Sequence, residues 1–505
     1  MLSLPAWSWP ALGLVVVVGN IIRQLLPRRK DEAPLVFHWL PFIGNSISYG
    51  VDPPKFFARC REKHGDLFTF VLLGKEITVY LGIDGNDFIL NGKHNDLSAE
   101  EIYGPLCTPV FGRGVVYDCP NSKFMEQKKF VKFGLTTRAL ESYVPLIAQE
   151  VKEYLSENPS FTGQSGVVDV TNAVSQITIL TAARSLQGKE VRKRITGEFA
   201  ALYHDLDQGF SPINFVMPWA PLPRNKKRDV AHAKMNAVYT EIINTRRMSG
   251  SEMGPDMIWN LMGCTYKDGK PLPDSEIANL MITLLMAGQH TSASSVSWIL
   301  FHLASRPDIT EELYQEQLSA LGRSGQDLPA LENSDLAKLP LLKNVIKETL
   351  RCHNSIHSVM RKVKNPLAVP GTGYVISPGK VLLASPAVTM LDEQHFREAQ
   401  SWNPHRWDDQ TGGDEEDADV DGADSREIGK GARSPYLPFG AGRHRCIGER
   451  FAYVNLGTIV ASLVREFKFF TLDGKKGVPA TDYTSMFSCP VRPGMVRWER
   501  RHKKE

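Results

Sequence analysis

The sequence offers little that would place it among disulfide-stapled, nucleic-acid-binding or repeat proteins. Its seven cysteines, at 60, 107, 119, 264, 352, 446 and 489, are an odd number with no CxxC pair and no regular spacing. That pattern argues against a disulfide framework and suits reduced thiols in a cytosol-facing protein. Neither charge sign dominates: 59 Lys and Arg face 56 Asp and Glu, a net charge of +3, so no nucleic-acid partner is implied. Internal repeats are absent, as is any flavin- or nicotinamide-binding motif. Long hydrophobic runs are also scarce. The one uncharged apolar stretch of note, Trp7–Ile22 (WSWPALGLVVVVGNII), contains Pro10, Gly13, Gly19 and Asn20. It is short for a bilayer span, which needs about 20 residues with a lower limit near 17.

What surrounds that stretch gives it a direction. No base precedes it, whereas Arg23, Arg28, Arg29 and Lys30 follow, which by the positive-inside tendency puts the N-terminus in the lumen and the body in the cytosol. Residues 1–26 are thus expected to be a single-pass membrane anchor, with Trp7 and Trp9 at the interface. The alternative, a cleaved secretory signal, lacks a basic n-region and an A-x-A-like site. Pro27, Pro34 and Pro41 make 27–45 a stiff linker, and 46–505 reads as one catalytic domain, mainly α with a smaller β portion. FTFVLLGKEITVYLG (68–82) predicts a hairpin around Gly74-Lys75, and YVISPGKVLLASP (374–386) a second one turning at Pro378-Gly379. Most of 84–350 has helical periodicity. Residues 409–433 read as a solvated surface loop; within them, 409–427 hold nine acids against Arg426, a local charge of −8 that leaves +11 elsewhere.

The most informative segment is Phe439-Gly440-Ala-Gly-Arg-His444-Arg-Cys446-Ile-Gly448, which leads into a helical run from Glu449 to Phe467. A cysteine just before a helix N-terminus has unpaired backbone N–H groups to stabilise a thiolate. The glycines allow close approach to a flat macrocycle, and three bases crowd the loop. A phosphate-cradling glycine loop is the competing reading, but that pattern needs glycine where Arg445 stands. The segment resembles the haem-thiolate loop of the cytochrome P450 family, with His444 where most members carry Arg.

Three further constellations occur in the order that family requires. Glu348-Thr-Leu-Arg351 places an acid and a base at i, i+3 on a helix face shared with Val345, Thr349 and Cys352, which implies burial. Downstream, Arg406 in Trp402-Asn-Pro-His-Arg-Trp407 supplies a third member for a Glu-Arg-Arg lock. A long helix is predicted after Pro273, with Asp274 as its N-cap, running to about Ser305 and spanning about 45–50 Å. In its middle, Met286-Ala287-Gly-Gln-His290-Thr291-Ser292 matches the oxygen-activating segment, with His290 where most members have an acid. Thr291 is placed to bend the helix and order a water. Lastly, Tyr103 to Asp118 fits YxxLxxPxFGxxVxYD at every specified position, through Leu106, Pro109, Phe111, Gly112, Val115 and Tyr117.

Together these motifs resemble the fungal sterol 14α-demethylases, from about Leu35 to Trp498. The resemblance implies haem b with Cys446 as axial ligand and Phe439 and Gly440 in the ligand loop, and Tyr103, Tyr117, Lys128, Arg361 and His444 holding the propionates. It implies a sterol pocket lined by Leu106, Phe111, Val116, Tyr117, Phe210, Ala287, Thr291, Ile356, Ser358 and Met486. It implies a proton relay through His290 and Asp207 beside Thr291. The implied reaction consumes O2 and electrons from NADPH, delivered by NADPH-cytochrome P450 reductase, with cytochrome b5 as a second donor, at the endoplasmic reticulum membrane. Leu106 stands where plant relatives tend to carry Phe and prefer C4-monomethylated sterols, which implies lanosterol or eburicol as substrate. Cys107, Cys352 and Asn354 depart from the family's usual residues and leave open a paralogue serving azole tolerance. A P450 for another terpenoid or polyketide, and a non-catalytic haem or sterol binder, are the rivals; the second would be expected to lose Thr291 or the Glu348–Arg351 pair.

Overall fold

The computed structural model describes residues 8–195, 197–249, 254, 256–322, 328–410, 431–472, 474 and 477–502. Residues 411–430, the bulk of the expected acidic surface loop, lie outside the described residues. The chain divides into two compact units, one from residues 1–102, 356–399 and 424–445, the other from 103–355, 400–423 and 446–505.

The first unit is built on a five-stranded sheet. Leu67–Leu72 and Lys75–Tyr80 form the expected hairpin, with Leu72 opposite Lys75. Its turn residues are Leu73 (φ 47) and Gly74 (φ 78), one place earlier than the sequence suggests, and the two left-handed residues match the twist of the strands. Lys75–Tyr80 then pairs in parallel with Val381–Ala384, which pairs antiparallel with Val359–Val363, and Leu97–Ser98 closes the edge.

The second expected hairpin does not form. Val375–Ile376 pairs with Leu367–Ala368 in a separate two-stranded sheet, whereas Val381–Ala384 joins the large one. All four residues of Val381–Ala384 are buried, so the strand sits inside the sheet with partners on both edges. The proline-rich segment is stitched to the same sheet. Thr69 N donates to Pro34 O and Val36 N to Thr69 O, both at 2.7 Å, and Asn45 N donates to Val71 O at 2.7 Å.

The N-terminal helix runs Ser8–Leu25, 18 residues. Among the described residues no helix is long and apolar enough to cross a membrane. Polar residues in the helix's last turns are used locally instead: Asn20 Nδ2 donates to the carbonyls of His38 and Trp39 at 3.0 Å each, and Gln24 exchanges two bonds with the His38 backbone at 2.7 and 3.0 Å.

The second unit is helical around Asp274–Ser305, 32 residues and about 48 Å long. Asp274 is its first helical residue rather than its cap. Pro273 occupies the cap position in extended conformation, and Asp274 pairs with Arg247 Nη2 at 2.5 Å. The helices Val170–Ala182, Pro223–Ser249 and Glu449–Glu466 pack against the long helix. Ser165–Asp169, Met495–Arg500 and Phe467–Phe470 form a three-stranded sheet in the same unit.

Near its C-terminal end the long helix enters a stack of aromatic rings. His353 lies flat on Trp298, with centroids 3.8 Å apart, and His302 lies on Trp402 at 4.6 Å. The two imidazoles meet with Nε2 atoms 2.8 Å apart, a geometry in which one donates and the other accepts. Burial pushes both below the ordinary histidine range, His353 to about 3. As pH falls below an unfolded pKa near 6.5 the buried rings resist protonation while unfolded ones take up protons. Their contribution is therefore complete above about pH 6.5 and declines as pH falls, by up to about 1.4 kcal/mol per pH unit for each ring. Thermal melts from pH 7 to pH 5 are expected to fall steeply in the wild type and less steeply in His353→Phe, which keeps the stack on Trp298; parallel slopes would count against this account.

Candidate active site

Glu348, on the helix Pro340–Cys352, has no exposed surface, and neither has Arg351. A carboxylate so placed needs complete compensation. Oε1 accepts from Arg351 Nη2 (2.8 Å), Arg406 Nε (2.8 Å) and Asn403 N (2.9 Å), and Oε2 from Arg351 Nε (2.9 Å) and Trp407 Nε1 (3.0 Å). The lock thus gathers Arg406 from a short 3-10 turn, Pro404–Gln410, as the order of segments suggests. Asn403 and Trp407 are donors that the sequence did not single out.

In the first unit, the glycine-rich segment before Cys446 makes a 3-10 turn at Gly442–His444. Gly442 (φ +65) is required there, because a side chain would strike the Leu90 carbonyl. Gly440 (φ +68) faces open space, and Phe439 and His444 are half-buried. Arg361 is buried in Val359–Val363, where Nη1 donates to the Met360 carbonyl at 2.8 Å. Ser358 Oγ meets His357 Nδ1 at 2.8 Å, and Ile356 is exposed.

In the second unit, Cys446 is the one exposed cysteine of the seven, two residues before Gly448, where the helix Glu449–Glu466 begins. Burial raises the thiols of Cys60 to about 11 and of Cys107 and Cys352 to about 12, so these are inert packing residues. Lys128, on Asn121–Phe133, is lowered by burial while the neighbouring Cys446 pulls it back up, which puts a cation within electrostatic reach of the sulfur.

The long helix is interrupted chemically at its middle. Leu285 and Met286 are buried, but Ala287 is exposed, a Cβ at Gly288 would meet nothing within 4 Å, and Thr291 is half-buried. Thr291 Oγ1 donates to the Ala287 carbonyl at 2.8 Å. His290 Nε2 lies 2.8 Å from Asp207 Oδ1, an ion-pair contact whose line is off that of an aligned hydrogen bond. Phe487 stacks on the His290 ring at 5.3 Å.

Around this opening the same unit collects aromatic surface. Phe111 and Phe210 meet at 5.6 Å, and Phe210 and Phe487 at 5.7 Å. Tyr103 and Tyr117 lie 5.4 Å apart. Leu106 is buried, Met486 half-buried, and Val116 adopts φ 53, a left-handed conformation rare for a β-branched residue. The residues 103–111 are helical (Glu100–Phe111) despite Pro105 and Pro109.

A family model described as Cytochrome P450 matches residues 34–498. Among solved structures, the cyanobacterial CYP120A1 with retinoic acid bound superposes with TM-score 0.77 over 94% of this chain and 100% of that one, at 20% identity, a likeness of fold. A sterol 14-alpha demethylase of Gibberella zeae is 61% identical over 100% of this chain and 99% of its own length. One from Aspergillus fumigatus is 60% identical, at 100% and 99% coverage. An eburicol 14-alpha-demethylase of Penicillium italicum is 57% identical, at 98% and 97%. The chain belongs to the cytochrome P450 family and, within it, to the fungal sterol 14-alpha demethylases.

Membership implies haem, dioxygen and an external electron donor. Within the second unit the residues fit that group: an exposed thiol ahead of a helix N-terminus, the Lys128 cation near it, and an uncovered small-residue face on the long helix. Removing the charge at the centre of the lock tests its weight. Glu348→Gln leaves two guanidinium groups without their carboxylate and is expected to destabilise by about 3–5 kcal/mol, read as a lowered urea midpoint; an unchanged midpoint would show that the lock carries no such load.

Proposed function

We propose that the protein removes the 14α-methyl of lanosterol or eburicol as formate in ergosterol biosynthesis, by three successive O2- and NADPH-dependent monooxygenations through alcohol and aldehyde. Full-length identity of 57–61% to proteins named for this activity carries the reading. Haem, when bound, supplies dioxygen activation. Cys446 would hold it as the thiolate ligand that enriches the metal in electron density. Tyr103, Tyr117, Lys128, Arg361 and His444 would hold its propionates, since phenol and cation donors to carboxylates make strong charge-assisted bonds, and Phe439 and Gly440 would let the cysteine loop approach the macrocycle.

Thr291 orders water at the uncovered face of the long helix, and His290 with Asp207 brings protons to it. Leu106, Phe111, Val116, Phe210, Ala287, Ile356, Ser358 and Met486, with Tyr117 and Thr291, line the sterol pocket, a mostly apolar set suited to such a ligand. Electrons come from NADPH through cytochrome P450 reductase, or cytochrome b5, docking on basic residues that include Lys128, Lys129, Lys132, Arg443, Arg445 and Arg450. Residues 1–26 anchor the protein in the endoplasmic reticulum membrane, 27–45 link, and 46–505 face the cytosol as the monooxygenase domain.

The direct experiment is reconstitution with a reductase: eburicol and lanosterol should shift the haem spin state and release formate, and absence of formate would refute the activity. In Cys446→Ser the reduced carbon monoxide complex should lose the red-shifted Soret band of a thiolate-ligated haem; a retained band would place the ligand elsewhere.

Substrate preference turns on Leu106. A C4 methyl that fits against it gains about 0.8 kcal/mol, whereas overpacking costs roughly 1–3 kcal/mol. Lanosterol and eburicol should thus exceed obtusifoliol in kcat/KM, and Leu106→Phe should move that ratio toward obtusifoliol by roughly tenfold or more. An unmoved ratio would remove Leu106 as the selector.

A further inference from the structure

The relay histidine has neighbours to which the reading above gives no task. Tyr203, on the helix Gly197–Asp207, is buried, and its ring lies 5.4 Å from that of His290, on which Phe487 also stacks at 5.3 Å. The Tyr203 hydroxyl donates to Gln289 Oε1 at 2.6 Å. Gln289, 3% exposed on the long helix, donates in turn from Nε2 to Ser175 Oγ at 2.8 Å, on the helix Val170–Ala182. A buried amide must satisfy both ends. Gln289 does so by tying three helices together next to the residue that moves the proton.

The tie has a geometric consequence. Tyr203 and Asp207 are i and i+4 on one helix and so share a face. Holding Tyr203 by its hydroxyl fixes the face that presents Asp207, and holding its ring limits how far His290 can swing. Behind the pair lies a cavity of about 200 Å³ lined by Thr171, Ser175, Gln176, Gln289, Ser294 and Ser297 among others, polar enough to keep water. The titratable or charged groups facing it are His204, Asp207, His290, Tyr203, Cys489 and Arg492. Burial raises the Tyr203 phenol well above its ordinary range, so it serves as a fixed donor and takes no part in the proton traffic.

We propose that Tyr203 and Gln289 are positioning residues of the His290–Asp207 relay: the Tyr203–Gln289–Ser175 hydrogen-bond chain sets Asp207 against His290 and holds the imidazole between the cavity and Thr291. His290 then takes one proton from cavity-side water and releases one on the Thr291 side, so that its charge is restored, and a turn of the ring or a return proton shift restores its tautomer. The proposal rests on the relay reading given above.

Tyr203→Phe keeps the ring and removes the tie. In the diamagnetic carbon monoxide complex of the reduced holoenzyme, the His290 ring resonances should move and broaden, because its carboxylate partner is held less firmly. With reductase and sterol, turnover should fall on the order of tenfold and a larger share of NADPH electrons should appear as hydrogen peroxide, while sterol affinity stays within about twofold. Adding Tyr203→Phe to Asp207→Ala should change nothing further, since both act through one step. Ser175→Ala, a milder cut at the far end of the chain, should move every readout in the same direction and serves where Tyr203→Phe folds poorly.

Unchanged His290 ring resonances with wild-type peroxide release, or losses from Tyr203→Phe and Asp207→Ala that multiply, would overturn the proposal. Failure of the demethylase reading looks different: the wild type would release no formate, while the effect of Tyr203→Phe on the His290 ring resonances would remain readable.

Discussion

The carboxylate of Glu348 is the constraint on which the second unit is arranged. A fully buried charge is tolerated only with complete compensation, and here five donors converge on two oxygens. Three of the donors belong to two guanidinium groups, those of Arg351 and of Arg406, the latter 58 residues from Glu348, so satisfying one acid also fixes where the segment 401–407 lies. That segment carries Trp402, whose Nε1 donates to Thr349 Oγ1 at 3.0 Å and whose ring supports His302 on the long helix. The lock is thereby joined, ring by ring, to the helix that holds Thr291. A weak Glu348 contact would loosen the register of the long helix as well as its own surroundings.

Much of this was legible because it is periodic or local. An apolar face around Glu348 implied its burial, and an uninterrupted helical pattern from Pro273 to Ser305 gave the long helix nearly to the residue. The Cys446 loop was legible because glycines, bases and a following helix are all close in sequence. What escaped depends on distant partners. Pro378-Gly379 turns the chain as a hairpin would, yet Val381–Ala384 takes Ile77–Val79 as a neighbour, about 300 residues away, and a local pattern cannot anticipate that pairing. Asp274 looked like a cap because acids favour that position, but an arginine on a neighbouring helix claims its carboxylate. Tyr203 and Gln289 carried no motif of their own; the glutamine of GQHTS is visible, but its partners are 86 and 114 residues away.

The N-terminal run shows the limit of counting apolar residues. As a string it is an uncharged stretch near the minimum length of a span, and as a helix it spends Asn20 and Gln24 on the His38–Trp39 backbone. Amide side chains that pair with a neighbouring segment satisfy carbonyls that would otherwise need water. The same residues that weaken the hydropathy signal therefore fix the angle at which the helix leaves the rest of its unit.

The middle of the long helix must meet two demands that ordinarily conflict. A helix that positions reacting groups has to be rigid, which favours close packing on all sides, whereas access for a substrate requires one side left uncovered. Residues 287–291 divide the task by angle, successive side chains being about 100° apart. Ala287, Gly288 and Thr291 form the uncovered side, with Thr291 spending its hydroxyl hydrogen on the Ala287 carbonyl and leaving lone pairs available to water. Gln289 points into the protein and is bonded at both ends, which restores on the buried side the rigidity that small residues give up on the open one. His290, half-buried, lies between the two sides with Asp207 against it. The composition of the motif follows from that geometry: small, small, amide, titratable, hydroxyl, each suited to the direction in which the helix turns it.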